Sequence, residues 1–200
     1  RENNENIGGY AITPSGDATQ KNFAVTYVPG KMTIKPKQVT VKAEDKTKVY
    51  GAEEPTYTAN VTGLLGEDTV AYEFGRETGE NVGTYTITPT GDAAQGNYVV
   101  KYETGKLTIT KATLIVTADD QSKIYGNTEP TLTATLTGLT NNDDETAIRN
   151  ALDLNMSRAE GTKVGDYTIT VTGAETLDNY NVKYENGTLS IDYRPVTVTA

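Results

Sequence analysis

The chain has 200 residues, with 27 acids against 18 Lys and Arg, no histidine, no cysteine and no tryptophan, for a formal charge of −9. Without imidazole or thiol there is no Ser-His or Cys-His nucleophile pair, no thiolate or imidazole metal shell and no disulfide. The acidic field repels phosphate and anionic lipid, so nucleic acid is not an expected partner.

The chain opens on a polar stretch, residues 1–6, that reads as neither signal peptide nor membrane span. Asn6-Ile7-Gly8-Gly9-Tyr10 then leads into a strand, Ser15-Gly16-Asp17 makes a turn, and Phe23, Val25 and Tyr27 alternate with polar residues as on a half-buried strand. Met32 and Ile34 form the next strand, and the glycine-free link Lys35-Pro36-Lys37 follows. Val39, Val41 and Ala43 predict a strand. Tyr50-Gly51 with Pro55 predicts a turn and an extended re-entry, and Gly63-Leu64 closes that half.

From Asn81-Val82-Gly83-Thr84-Tyr85 onward the series begins again. Tyr10 returns as Tyr85, Asn22-Phe23 as Asn97-Tyr98, and Ile34 as Ile109, each displaced by 75 residues. Tyr50-Gly51, Pro55 and Gly63-Leu64 return at the same displacement as Tyr125-Gly126, Pro130 and Gly138-Leu139. A further copy, Lys163-Val164-Gly165-Asp166-Tyr167, Asn179-Tyr180, Leu189 and Ile191, is displaced by 82, so seven residues are inserted between Leu139 and Leu152. Their acids, followed by Ala147, Ile148, Ala151 and Leu152 at helical spacing, predict one or two helical turns near 140–151. The expected organisation is a partial module at 1–37, modules at 38–110 and 111–193, and the first strand of a further module at 194–200.

The expected fold is mainly β: small β-rich modules in a tandem, extended array. Each is a β-grasp-like sheet with a brief helix near the Gly63 and Gly138 segments, or alternatively an immunoglobulin-like sandwich. Hydrophobic content of 36% with two Phe and 19 Gly suits several small cores better than one large one.

Thirteen tyrosines suggest sugar-stacking platforms, but most recur at core or turn positions, and Tyr57 and Tyr72 align with Leu132 and Leu154. Only Tyr193, in a link, lacks a packing reason, and it is the candidate ligand contact. No catalytic, cofactor-binding or metal-binding residue is assigned. Glu53-Glu54, Asp119-Asp120 and the acids at 143–145 lack the D-x-D-x-D-G spacing of a calcium loop. A Lys-Asn amide crosslink at Lys101 with Asn97 or Lys183 with Asn179 requires buried lysines, whereas the alternation with tyrosine turns them to water.

Val49-Tyr50-Gly51, Gly63-Leu64, Gly79-Glu80-Asn81-Val82-Gly83-Thr84-Tyr85, Asn97-Tyr98 and Gly105-Lys106-Leu107-Thr108-Ile109 together resemble the MBG/YDG-type repeat of bacterial cell-surface adhesins. The resemblance implies a small β-rich module in an extracellular stalk, anchored to the cell wall through another segment and contacting host mucin or another glycoprotein. The third copy departs from the pattern through its insertion and through Gly161-Thr162-Lys163 in place of Gly79-Glu80-Asn81. The expected function is therefore an adhesive stalk, a monomeric array without cofactor that binds glycans weakly and multivalently. A pure spacer carrying a distal adhesive or catalytic domain is the alternative, and a glycan-processing enzyme a distant third. The negative charge opposes capture of sialylated or sulfated glycans except where local lysines or hydrogen bonds prevail.

Overall fold

A computed structural model describes residues 5–200; the polar stretch at 1–4 lies outside the described residues. The chain is mainly β. Its strands before the first link are β1 (Gly8–Ile12), β2 (Thr19–Gln20), β3 (Phe23–Ala24) and β4 (Gly30–Ile34). The next stretch holds β5 (Lys37–Ala43), β6 (Lys46–Val49), β7 (Ala59–Thr62), β8 (Glu73–Arg76), β9 (Gly83–Thr90), β10 (Ala94–Gln95), β11 (Tyr98–Glu103) and β12 (Gly105–Thr110). The last holds β13 (Ala112–Ala118), β14 (Gln121–Ile124), β15 (Ala134–Thr137), helix α1 (Glu145–Leu152), β16 (Asn155–Arg158), β17 (Gly165–Thr172), β18 (Tyr180–Glu185) and β19 (Gly187–Asp192).

Both longer stretches use one plan. The first strand of the repeat lies between an antiparallel and a parallel neighbour: β5 between β7 and β11, β13 between β15 and β18. A second sheet has the order β6-β12-β9-β8 in one stretch and β14-β19-β17-β16 in the other. β14 pairs parallel with β19, while β17 pairs antiparallel with both β19 and β16. These parallel pairs set the modules apart from a purely antiparallel sandwich.

The chain folds as two compact units. One contains residues up to Lys46, Thr56–Glu77 and Tyr85–Leu107; the other contains Thr47–Pro55, Thr78–Thr84 and residues from Thr108 onward. In the first unit Val39, Val41, Tyr98 and Val100 are buried, with Val61, Leu64, Val70 and Tyr72 packed against them. In the second, Leu114, Val116, Ile169, Val171, Leu189 and Leu152 are almost fully buried. The strand residues among them are inward members of a period-two pattern, and each fully buried side chain contributes about 1.5–3 kcal/mol when removed from water.

The Gly-Leu motif has a packing cause. Gly63 and Gly138 adopt φ of +98° and +96°, and a Cβ there would stand 2.4 Å from the Gln38 carbonyl oxygen and 2.5 Å from that of Thr113. Only glycine lets the end of β7 or β15 close onto the first strand of its repeat.

The helix falls on the predicted insertion. Asp144 is its N-cap and accepts from the Thr146 N–H, Glu145 occupies the first turn, and Leu152 is fully buried. The expected helix near Gly63 does not form. That segment runs through a turn at Gly66, with the Asp68 N–H bonded to the Leu65 carbonyl, because the seven residues that complete a helix in the third copy are absent.

Candidate functional site

The arrangement with the densest polar geometry gathers motifs far apart in sequence, all within the second unit. Tyr50, at the end of β6 and opening the Tyr-Gly turn, donates its phenol to Asp143 at 3.0 Å. Tyr180, opening β18, donates to the other oxygen of the same carboxylate at 2.6 Å. Asn141 Nδ2 donates to the Tyr50 hydroxyl at 3.1 Å, and the Thr140 N–H donates to the Tyr180 hydroxyl at 3.1 Å. The two rings meet edge to face, with centroids 5.5 Å apart at 83°. Gly51 packs so closely that a Cβ would lie 2.1 Å from Thr140 Oγ1.

Burial, and then the Asp143 carboxylate, push the Tyr180 phenol up to about 12; the same two causes raise Tyr50. Both are neutral hydrogen-bond donors at physiological pH. They hold a carboxylate and supply neither nucleophile nor base.

Beside this clasp lies a second one. Asn179 accepts the Val82 N–H through Oδ1 at 3.0 Å and donates through Nδ2 to Asn81 Oδ1 at 3.1 Å. The first unit repeats it: Asn97 accepts the Ile7 N–H at 3.0 Å and donates to Asn6 Oδ1 at 3.0 Å. The Asn-x-Gly block of one copy is thus gripped by the Asn-aromatic block of the copy after it, twice in the chain, through main-chain and side-chain bonds together.

The tyrosine half is present in the first unit without an incoming phenol among the described residues. Tyr98 donates to Asp68 in a short hydrogen bond and accepts from the Leu65 N–H at 3.2 Å, matching Tyr180, Asp143 and Thr140. Its phenol is raised by the Asp68 bond first and burial second. A depression of about 470 Å³ opens beside it, lined among others by Asp68, Gln95 and Asn97. Tyr125, the counterpart of Tyr50, is 49% exposed, whereas Tyr50 is 4% exposed.

Lys48 stands near the clasps on β6 with its side chain 6% exposed, between Glu54 at 2.8 Å and Glu80 at 2.7 Å. Its burial opposes the charge, but the two carboxylates prevail and hold its pKa above the usual lysine value. In the third copy Lys123 pairs with Glu129, which also takes Arg158. Sequence reasoning passed over Lys48; its signal was a lysine at an inward position of an alternating strand.

Four of the other acids singled out in sequence have structural partners. Glu54 holds Lys48, Asp119 accepts from Thr135, Asp120 accepts the Thr188 N–H, and Asp144 caps α1. No group of three or more acids capable of holding a metal occurs among the described residues. Lys101 is exposed and paired with Glu103 at 2.8 Å, and Lys183 is exposed, so neither is brought to its neighbouring asparagine in a buried site.

Tyr193 is 82% exposed. With Tyr125, Lys163, Val164, Arg194 and Val196 it lines an open depression of about 460 Å³. Among the described residues no helix is long and apolar enough to cross a membrane.

Residues 39–108 and 114–190 each match the family described as MBG domain (YGX type). No curated protein matches the chain.

Proposed function

The chain belongs to the MBG-domain family of the YGX type, and from that premise we propose that it is an extracellular repeat region of a bacterial cell-surface adhesin, an adhesive stalk that contacts host glycoprotein weakly and many times over. Modules of this family are non-catalytic and occur in surface proteins. The observation that carries the reading is the paired clasp. The signature residues of the repeat are spent on gripping the next repeat, which is what a load-transmitting array requires and what an isolated enzyme site does not.

In this reading each repeat offers one binding face. Weak contacts by each then accumulate through effective concentration. Tyr193 in this reading meets a sugar face, and its exposure beside Lys163 and Arg194, whose charge offsets the negative field, supports that role.

Retention of the chain on a mucin-coated surface, measured at low and physiological salt, tests the reading. Weak retention is expected, rising with salt as the repulsion between a −9 chain and anionic glycans is screened. Tyr193→Ala should lower it. No retention at either salt concentration assigns the chain to the spacer class instead.

A further inference from the structure

We propose that each repeat carries tension through a shear clamp formed by the strands at its beginning and end. In the repeat at 111–193, all of it within the second unit, β13 and β14 run parallel to β18 and β19. Ala112 lies opposite Tyr180, Thr117 opposite Glu185, Gln121 opposite Leu189 and Ile124 opposite Asp192, a constant separation of 68 residues. The two pairings belong to different sheets, yet they form one ladder in a single register that crosses the corner between them. The corner itself is tied. The Thr188 N–H donates to the Asp120 carboxylate at 2.7 Å, and the Thr117 hydroxyl donates to Glu185 at 3.1 Å. Gly187 lets the strands close there, since a Cβ would stand 2.3 Å from the Ala118 carbonyl oxygen. Beyond β14 the Tyr125 N–H extends the ladder to the Asp192 carbonyl at 2.9 Å.

Tension along a tandem chain enters this repeat at Ala112, where β13 begins, and leaves at Asp192, where β19 ends. In a parallel ladder those two points are diagonally opposite, so the pull slides one strand along the other and loads every rung at once. An antiparallel pair of first and last strands would present both points at the same end, and its bonds would break one after another. Neither loaded strand can be peeled from an edge, because β13 lies between β15 and β18, and β19 between β14 and β17. Leu114, Val116, Leu189 and Ile191 are at most 2% exposed, which denies water the chance to replace the rungs singly.

The plan recurs in the first unit. There β5 lies between β7 and β11, and residues 37–42 run parallel to 98–103 at a constant separation of 61. The difference of seven between the two repeats is the insertion, which falls inside the loop that the clamp closes. Helix α1 is thus shielded from tension until the ladder ruptures. The clamp serves an adhesive stalk and a spacer alike, and it rests on the surface-stalk reading only for the source of the tension.

Forced rupture is governed by the unfolding barrier along the direction of pull, so two directions through the same fold separate a clamp from general stability. The chain has no cysteine, and introduced thiols set the direction. With optical-tweezers handles on the two termini, the repeat should yield in one step that frees residues 112–192 together, at most roughly 270–290 Å at ~3.3–3.6 Å per residue. Handles on Thr113→Cys and Asn181→Cys, an exposed pair facing each other across one rung, open the same ladder sideways from its end. Rupture should then come at a force several times lower at the same loading rate. Gln38→Cys with Val99→Cys, the corresponding exposed rung of the other repeat, makes the same comparison in the first unit. Urea unfolding midpoints of both double variants should match that of the unsubstituted chain, which assigns the difference to direction. Equal forces in the two directions, or a terminal pull that releases the repeat in a succession of short steps, overturns the proposal. Mucin retention is untouched by either outcome, so the clamp and the glycan reading fail separately.

Discussion

Tyr50 and Tyr125 carry the same dipeptide and the same turn, yet one is buried with a carboxylate on its hydroxyl and the other stands half in water. Tyr50→Phe should therefore cost about 1–3 kcal/mol in chemical denaturation, because it removes a charge-assisted bond in a shielded site, while Tyr125→Phe should stay within about 0.5 kcal/mol. The glycines beside them separate backbone strain from contact. Gly51 and Gly126 share a left-handed φ, +76° and +83°, but a Cβ on Gly51 meets Thr140 at 2.1 Å and one on Gly126 meets only the flexible end of Arg194 at 3.1 Å. Gly126→Ala should cost about 1–2 kcal/mol from conformation alone. Gly51→Ala should cost more and weaken the Tyr50 clasp with it. The turn was readable from Tyr-Gly followed by Pro. Asp143, the residue the tyrosine reaches, was not, because it lies 93 positions away among acids that read as the start of a helix.

Helix α1 shows how a local element is written in sequence. An Asp at the cap, a Glu in the first turn paired to Arg149 four residues on, and a buried Leu at the end agree with one another. Asp144→Ala should destabilise the second unit by about 0.5–2 kcal/mol through the orphaned N–H of Thr146. Leu152→Ala, fully buried, should cost about 2–5 kcal/mol by opening a cavity. Thermal or urea unfolding ranks the two. The strands were legible for the same reason: apolar residues at period two permit only one face toward a core. Pairing was not legible. Nothing local to Val41 states that its parallel neighbour is Tyr102 while its antiparallel neighbour is Val61 from the strand in between, since hydrogen-bond partners are chosen by the sheet and not by the strand.

Across the whole molecule, the ionisable groups set a stability plateau with two edges. Hydrogen bonds and lysine or arginine charges hold Glu44, Glu103, Glu129 and Asp119 below their ordinary values. Their contribution is present above pH 4.5 and is lost as the pH falls through the depressed folded values. Tyr180, raised to about 12, and Tyr50, Tyr98 and Tyr184, raised from 10.0, contribute in full below pH 10, and that contribution is lost as the pH climbs toward 12. The unfolding midpoint should be flat between these edges, and the alkaline fall should coincide with late-rising phenolate absorbance, diminished in Tyr180→Phe. The repeat, its seven-residue insertion, the β class, the helix and the absence of imidazole or thiol chemistry were decided by sequence alone, since self-similarity, periodicity and side-chain inventory are one-dimensional properties. The parallel pairing within each repeat, the burial of Lys48 between two glutamates and the meeting of Tyr50 with Asp143 were decided only in three dimensions. Each depends on which distant segment occupies the other side of a contact, and a sequence pattern specifies that a face must be covered without specifying by what.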